Sequence, residues 1–155
     1  MIRIARSAAA TILTTLCLAG VATAADLPKH KFITTFEDSA IPGMEAAVKR
    51  LRDGGEIKQL MDALGQELPL PQDVPVTFKD CKTANAFWNP ADRSVTYCYE
   101  LVQLYAKGVD KLDMGEDVML RGLDANAVVM GTTIFVLFHE LGHGLVDLAD
   151  AAGLL

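Results

Sequence analysis

The sequence has little positive charge. It holds 14 Lys and Arg against 20 Asp and Glu, which gives a formal net charge of -6. A chain of this charge has no basic surface to offset phosphate repulsion, which argues against a nucleic-acid partner. Lys49, Arg50 and Arg52 form the only close group of basic residues, and their spacing is typical of a solvated helix face.

The chain also lacks internal repeats and low-complexity segments, and charged residues make up only 22% of it. The hydrophobic fraction is 51%, which is a globular composition and not a disordered one. A length of 155 residues suits one domain with a real core.

The N-terminus has the pattern of a secretory signal peptide. Arg3 and Arg6 precede a short apolar stretch over residues 8–21, and Ala22-Thr23-Ala24 supplies the small residues of a cleavage site. We therefore predict a signal peptide over residues 1–24, a single domain over residues 25–155, and a secreted or periplasmic location. No membrane span is expected in the mature chain.

Cysteine is scarce, with 3 residues in all. Signal-peptide cleavage would remove Cys17 and leave Cys81 and Cys98 in an oxidising compartment, which predicts a disulfide between them. The alternative is a pair of metal ligands, but neither cysteine has a partner at CxxC spacing.

Hydrophobic periodicity predicts an α+β fold. Pro75 makes the strand at 74–78 an expected edge strand. Leu101, Leu104 and Tyr105 are expected to face inward from the helix after the hairpin. The predicted elements are a strand at 31–36, helices at 44–53 and 56–67, a strand at 74–78, a β-hairpin at 85–99, a helix at 100–107, a loop at 110–124 and a helix from about 126 to 150.

The last helix contains the sequence His139-Glu140-Leu141-Gly142-His143, an H-E-x-x-H motif. Residues four apart lie on one face of a helix, so both imidazoles can bind one Zn²⁺. The glutamate can then act as general base on the zinc-bound water.

The apolar run around this motif predicts a buried helix and not a membrane span, because His139, Glu140 and His143 would be costly in lipid. Apolar side chains on both sides of the motif are expected to bury it. Gly142 and Gly144 are expected to leave room beside the metal. The flanking apolar side chains are Phe135, Phe138, Leu141 and Leu145.

The region from about Leu68 onward resembles a family of exported bacterial proteins assigned as zinc metallopeptidases of the zincin type. The residues that carry the resemblance are Leu68-Pro69-Leu70-Pro71, Asp80-Cys81, Asn85-Ala86-Phe87-Trp88-Asn89-Pro90, Cys98-Tyr99-Glu100-Leu101 and Phe138-His139-Glu140-Leu141-Gly142-His143. The resemblance implies a small mixed sheet whose edge strand, supplied by the hairpin, lies beside the motif helix and pairs with a peptide or protein substrate.

A catalytic zinc of this type takes three protein ligands. In zincins with a glutamate ligand, that residue lies on a later helix, whereas this chain ends at Leu155, so we expect it to be C-terminally incomplete. Asp147 is expected to orient His143 or to be solvated. Glu100 and Asp117 stay open as ligands.

Two functions therefore compete. The first is zinc-dependent hydrolysis of peptide bonds, with His139 and His143 as ligands and Glu140 as the base. The alternative is a zincin relative without a third ligand that binds zinc or a peptide and cleaves nothing.

Overall fold

The computed structural model of the chain describes residues 29–112, 122 and 124–153. The predicted signal peptide and Cys17 lie outside the described residues. So do Asp117 and most of the loop predicted at 110–124.

The described residues form an α+β fold around a mixed sheet, as predicted. The strands are β1 (Phe32–Phe36), β2 (Val74–Lys79), β3 (Ala86–Asn89) and β4 (Ser94–Cys98), in the order β1-β2-β4-β3. β1, β2 and β4 are parallel, and β3 pairs antiparallel with β4. The predicted hairpin is therefore confirmed, and β3 is an edge strand.

The helices are α1 (Glu45–Gly54), α2 (Glu56–Glu67), α3 (Tyr99–Val109) and α4 (Ala125–Ala151). Gly55 separates α1 from α2 with a φ of +79°, a left-handed conformation that favours glycine. α2 has the bounds that its apolar spacing predicts.

One face of the sheet packs against the helices and forms the core. Phe36, Phe78 and Tyr97 stack across β1, β2 and β4, with ring centroids 4.8 and 5.0 Å apart. The opposite face of β1 and β2 leaves Ile33, Thr35 and Pro75 exposed. The helical side chains buried in the core include Leu51, Ile57, Met61, Leu101, Leu137 and Leu141.

The prediction that residues 74–78 form an edge strand was wrong, because β2 lies between β1 and β4. The Val74 N–H donates to the Lys31 C=O, so Pro75 is directed toward β4. Pairing between β2 and β4 begins only at Val76, opposite Val95. The missing N–H of Pro75 therefore falls just before the ladder that it would have interrupted.

The helix predicted over 100–107 passes through Gly108 and extends to Val109, which is buried. Burial of Val109 offsets the roughly 1 kcal/mol that a glycine costs inside a helix. Leu101 faces the core and Tyr105 packs partly against it, but the prediction that Leu104 faces inward was wrong, since it is 54% exposed.

α4 is the one helix among the described residues that is long and apolar enough to cross a membrane. Core helices of globular domains can have the same length and apolar composition. Leu137, Leu141 and Leu148 of α4 are buried in the core. The expectation that the four flanking apolar side chains bury the helix around the motif was wrong for Phe135, which is 72% exposed, and for Phe138, which is 41% exposed.

The predicted Cys81–Cys98 disulfide is present, with the two Cα atoms 5.4 Å apart. Cys98 ends β4 at the start of α3, and Cys81 follows β2. The Glu100 carboxylate accepts hydrogen bonds from the Cys81 N–H at 3.0 Å and from the Lys82 N–H. These bonds hold the chain before β3 against the first turn of α3.

The buried hydroxyl of Tyr99 should make the fold less stable at alkaline pH. Its hydroxyl donates to the Glu37 C=O at 2.8 Å, and burial raises its pKa to about 12. Folding favours the neutral phenol, so its contribution is present below the ordinary pKa of about 10 and is lost as pH rises from there toward 12. We expect the urea midpoint of the wild type to fall between pH 10 and 12, and that of Tyr99→Phe to fall less steeply. Equal slopes would contradict this assignment.

Candidate functional site

The site is built on α4, which begins at a side-chain cap. The Asp124 carboxylate accepts a hydrogen bond from the Ala127 N–H at 2.7 Å and so satisfies one free donor of the first turn. Buried residues recur at helical spacing along one side of α4, which fixes the rotation of the helix about its axis. They are Thr133, Leu137, Leu141, Gly144 and Leu148. The side opposite is left to solvent, and the motif histidines lie there.

His139 and His143 are both exposed, one turn apart. Their Nε2 atoms lie 3.2 Å apart, and the two rings are nearly perpendicular, at 88°. Two nitrogens bound to one tetrahedral Zn²⁺ at about 2.0–2.1 Å would lie about 3.3 Å apart. The two imidazoles therefore fit one metal ion as a pair of ligands.

Glu140 is half-buried and turned from the histidines toward the sheet. Its Oε2 atom accepts a hydrogen bond from the main-chain N–H of Trp88 at 3.1 Å. This bond joins the motif helix to the edge strand β3, across 52 residues of sequence. This hydrogen bond thus fixes the carboxylate at the strand edge, on the residue that follows His139 in the chain.

Trp88 holds the same helix at a second point. A Cβ atom added to Gly144 would lie 2.6 Å from Cε3 and 2.7 Å from Cζ3 of the Trp88 ring. The expectation that Gly144 leaves room beside the metal was therefore wrong, because that space is filled by the indole. A Cβ at Gly142 would meet no atom within 4 Å. Gly144 is required for close packing of strand on helix.

No third ligand joins the two histidines within the described residues: no other His, Cys, Asp or Glu there has a ligand atom within 4.8 Å of both. Asp147 does not orient His143 as expected, because no hydrogen bond joins the two side chains, both of which the structure describes. Within the described residues the Oδ2 atom of Asp147 is buried and has no hydrogen-bond partner. Glu100 is engaged by the Cys81 and Lys82 amides. Asp117 lies outside the described residues.

Cys81, Cys98 and Glu100 form the only three-residue group of candidate ligands in the described part of the chain. Both sulfurs are joined in the disulfide, and the carboxylate accepts main-chain hydrogen bonds. A thiolate is the form of cysteine that binds metals. This group is therefore structural and is not a second metal centre.

The solvent side of α4 is apolar around the histidines. Phe135 is 72% and Val146 61% exposed, and Phe138, next to His139, is 41% exposed. Phe87 on β3 is also exposed, at 37%, but it alternates with Trp88 along the strand and so points to the sheet face away from α4. Phe135, Val146 and the two imidazoles share the solvent side of α4.

Tyr97 of β4 is fully buried in the core and is excluded from this open surface. Burial raises its pKa above the ordinary value, so the phenol stays neutral. It cannot reach a reacting group on the solvent side of α4. His30, the remaining histidine, binds Asp73 at 3.2 Å and takes no part in the site.

Spacing alone predicts a site at His139, Glu140 and His143, but it does not predict the contact that Trp88 makes with Glu140. The chain holds one tryptophan, and it lies in the segment that resembles the metallopeptidase family. That position was a signal for a role in the site. No local pattern links Trp88 to Glu140, which lies 52 residues later in the chain.

Comparison with known proteins gives one match. The DUF4344 family, described as "Putative metallopeptidase", matches residues 36–153. No curated protein and no solved structure matches the chain. The matched range includes the whole sheet apart from most of β1, all four helices and the histidine pair, so the chain belongs to this metallopeptidase family.

Proposed function

We propose that the protein hydrolyses peptide bonds with Zn²⁺ held by His139 and His143. The observation that supports this most is the 3.2 Å separation of their Nε2 atoms on an exposed helix surface. Membership of a metallopeptidase family supports a metal and a peptide substrate. A bound Zn²⁺ would polarise the scissile carbonyl and lower the pKa of a bound water to about 7.

Glu140 is the proposed general base. It follows the first histidine directly, and its carboxylate is held at the edge of β3 by the Trp88 N–H. In this role it takes the proton of the attacking water and passes it to the leaving amine.

The substrate would be an extended peptide paired with β3. β3 is an edge strand, and it packs against α4 at Trp88 and Gly144. A peptide added to such an edge gains main-chain hydrogen bonds, and side-chain contacts add specificity. We propose that this arrangement serves as a zincin-like site, with the peptide lying along the open edge of β3.

We further propose that the protein works outside the cytoplasm. The Cys81–Cys98 disulfide supports this, since disulfides persist in secreted and periplasmic proteins and are rare in the cytosol.

A second function is favoured by one observation: the described residues supply no third zinc ligand. A protein with two histidine ligands could bind zinc or a peptide without hydrolysis. Cleavage of a mixture of quenched fluorescent peptides by the zinc-loaded protein decides between the two. Turnover that a chelator abolishes supports the peptidase, and zinc binding without turnover supports the binding protein.

The metal ligands are tested by His143→Ala. Loss of an outer partner of a zinc ligand already costs about 10- to 100-fold in affinity, so loss of the ligand itself should cost more than about 100-fold. Zinc content after dialysis measures this. The matched control is His30→Ala, which removes the imidazole that binds Asp73 at the start of β1 and β2. If His143→Ala and His30→Ala retain equal zinc, the histidine pair is not the site.

A further inference from the structure

The edge strand β3 offers only a few free main-chain groups. The Cys98 N–H donates to the Asn85 C=O at 3.0 Å, and Ala86 lies opposite Tyr97. Residues of an antiparallel strand alternate between bonding to the neighbouring strand and facing away from it. Since Asn85 bonds to Cys98, Ala86 and Trp88 direct their N–H and C=O groups away from β4, toward the open edge.

Glu140 already occupies one of these groups. Its carboxylate accepts from the Trp88 N–H at 3.1 Å, which agrees with the outward direction that the strand pairing assigns to that N–H. A peptide that adds to the edge of β3 needs this same N–H for its own carbonyl. Glu140 and the peptide therefore compete for one donor.

We propose that Trp88 is a positioning residue whose main-chain N–H holds Glu140 against β3 until a peptide strand takes over that hydrogen bond. The incoming carbonyl replaces the carboxylate as acceptor, and no covalent bond changes. Glu140 is then free to turn toward His139 and His143. The general base would thus be released only when a substrate strand is in place.

The indole ring of Trp88 holds β3 in place against α4. Its six-membered ring lies against Gly144, one turn after Glu140 on the same helix. While the ring keeps this contact, the N–H can change its acceptor without moving the strand from the helix. The inference rests on the proposed function only in naming Glu140 as the base; the competition itself concerns peptide binding and needs no hydrolysis.

Glu140→Ala tests the competition. We expect it to bind an acetylated, amidated six-residue Thr/Val peptide about three- to tenfold more tightly than the wild type, because one hydrogen-bond competitor is gone. Titration of the zinc-loaded proteins measures this, with mass spectrometry showing that the peptide stays intact. The control Glu67→Ala removes the same charge from an exposed position on α2, which packs against β1 at the other edge of the sheet.

The wild type supplies a second measurement that does not depend on a variant. The chain contains one tryptophan, so ¹⁵N-tryptophan labelling gives one main-chain and one indole signal, both from Trp88. Addition of the peptide should shift the main-chain signal of Trp88. The proposal is overturned if Glu140→Ala binds the peptide no more tightly than Glu67→Ala, or if saturating peptide leaves the Trp88 main-chain signal unmoved. If both expectations are met but the zinc-loaded wild type cleaves no peptide, the proposed peptidase activity is refuted and this inference stands.

Discussion

Glu140→Gln is expected to lower kcat/KM for peptide cleavage by about 100- to 10,000-fold, the usual contribution of a general base. Glutamine is nearly the same size, and its amide oxygen still accepts from the Trp88 N–H. The contact between α4 and β3 should therefore persist, and the loss should appear in turnover. Zinc content should match that of the wild type, since neither ligand changes.

The matched control for this experiment is Glu67→Gln, the same change on the far side of the molecule. Steady-state rates and zinc content of wild type, Glu140→Gln and Glu67→Gln form one comparison. Equal rates in all three proteins would remove Glu140 from the mechanism. A loss of zinc in Glu140→Gln would instead show that the residue acts on metal binding.

Gly144→Ala is expected to destabilise the fold by about 1–3 kcal/mol, although alanine is the better helix former. The added methyl would lie 2.6 Å from the Trp88 ring, so the half-buried indole must move. The ring cannot shift freely, because the Trp88 N–H is bound to Glu140 on the same helix. We expect a lower thermal midpoint and altered tryptophan emission.

Gly131→Ala is the control for this prediction. Gly131 is an exposed residue of the same helix, and a Cβ there would meet no atom within 4 Å. It should gain up to about 1 kcal/mol from helix propensity alone. The two glycine substitutions should therefore move the thermal midpoint in opposite directions. A stabilised Gly144→Ala protein with unchanged emission would show that the ring contact is not tight.

The sequence predicts most elements of the fold because their signals are local. The bounds of α2 follow from apolar spacing between Gly55 and Leu68, and the hairpin follows from turn residues between two apolar segments. The wrong predictions concern which elements lie next to each other in the fold. Pro75 is tolerated in an inner strand because the pairing of β2 with β4 begins one residue later, at Val76. No local sequence rule predicts that register.

The site divides in the same way. His139 and His143 are predictable because helical geometry alone brings their nitrogens together. The position of Glu140 is not predictable, because it depends on where β3 meets α4. The side chain filling the space at Gly144 is that of a residue 56 positions earlier, which composition and periodicity do not reveal.

These two halves of the site have different requirements for folding. The histidine pair closes within one helical turn, so its formation needs almost no loop-closure entropy. The Trp88–Glu140 contact has high contact order, and it forms only when α4 docks on the completed hairpin. A partly folded chain with α4 formed could thus bind zinc before the Trp88–Glu140 contact has formed. Metal capture would precede catalytic competence during folding, and zinc content would be a poor measure of how much protein is native.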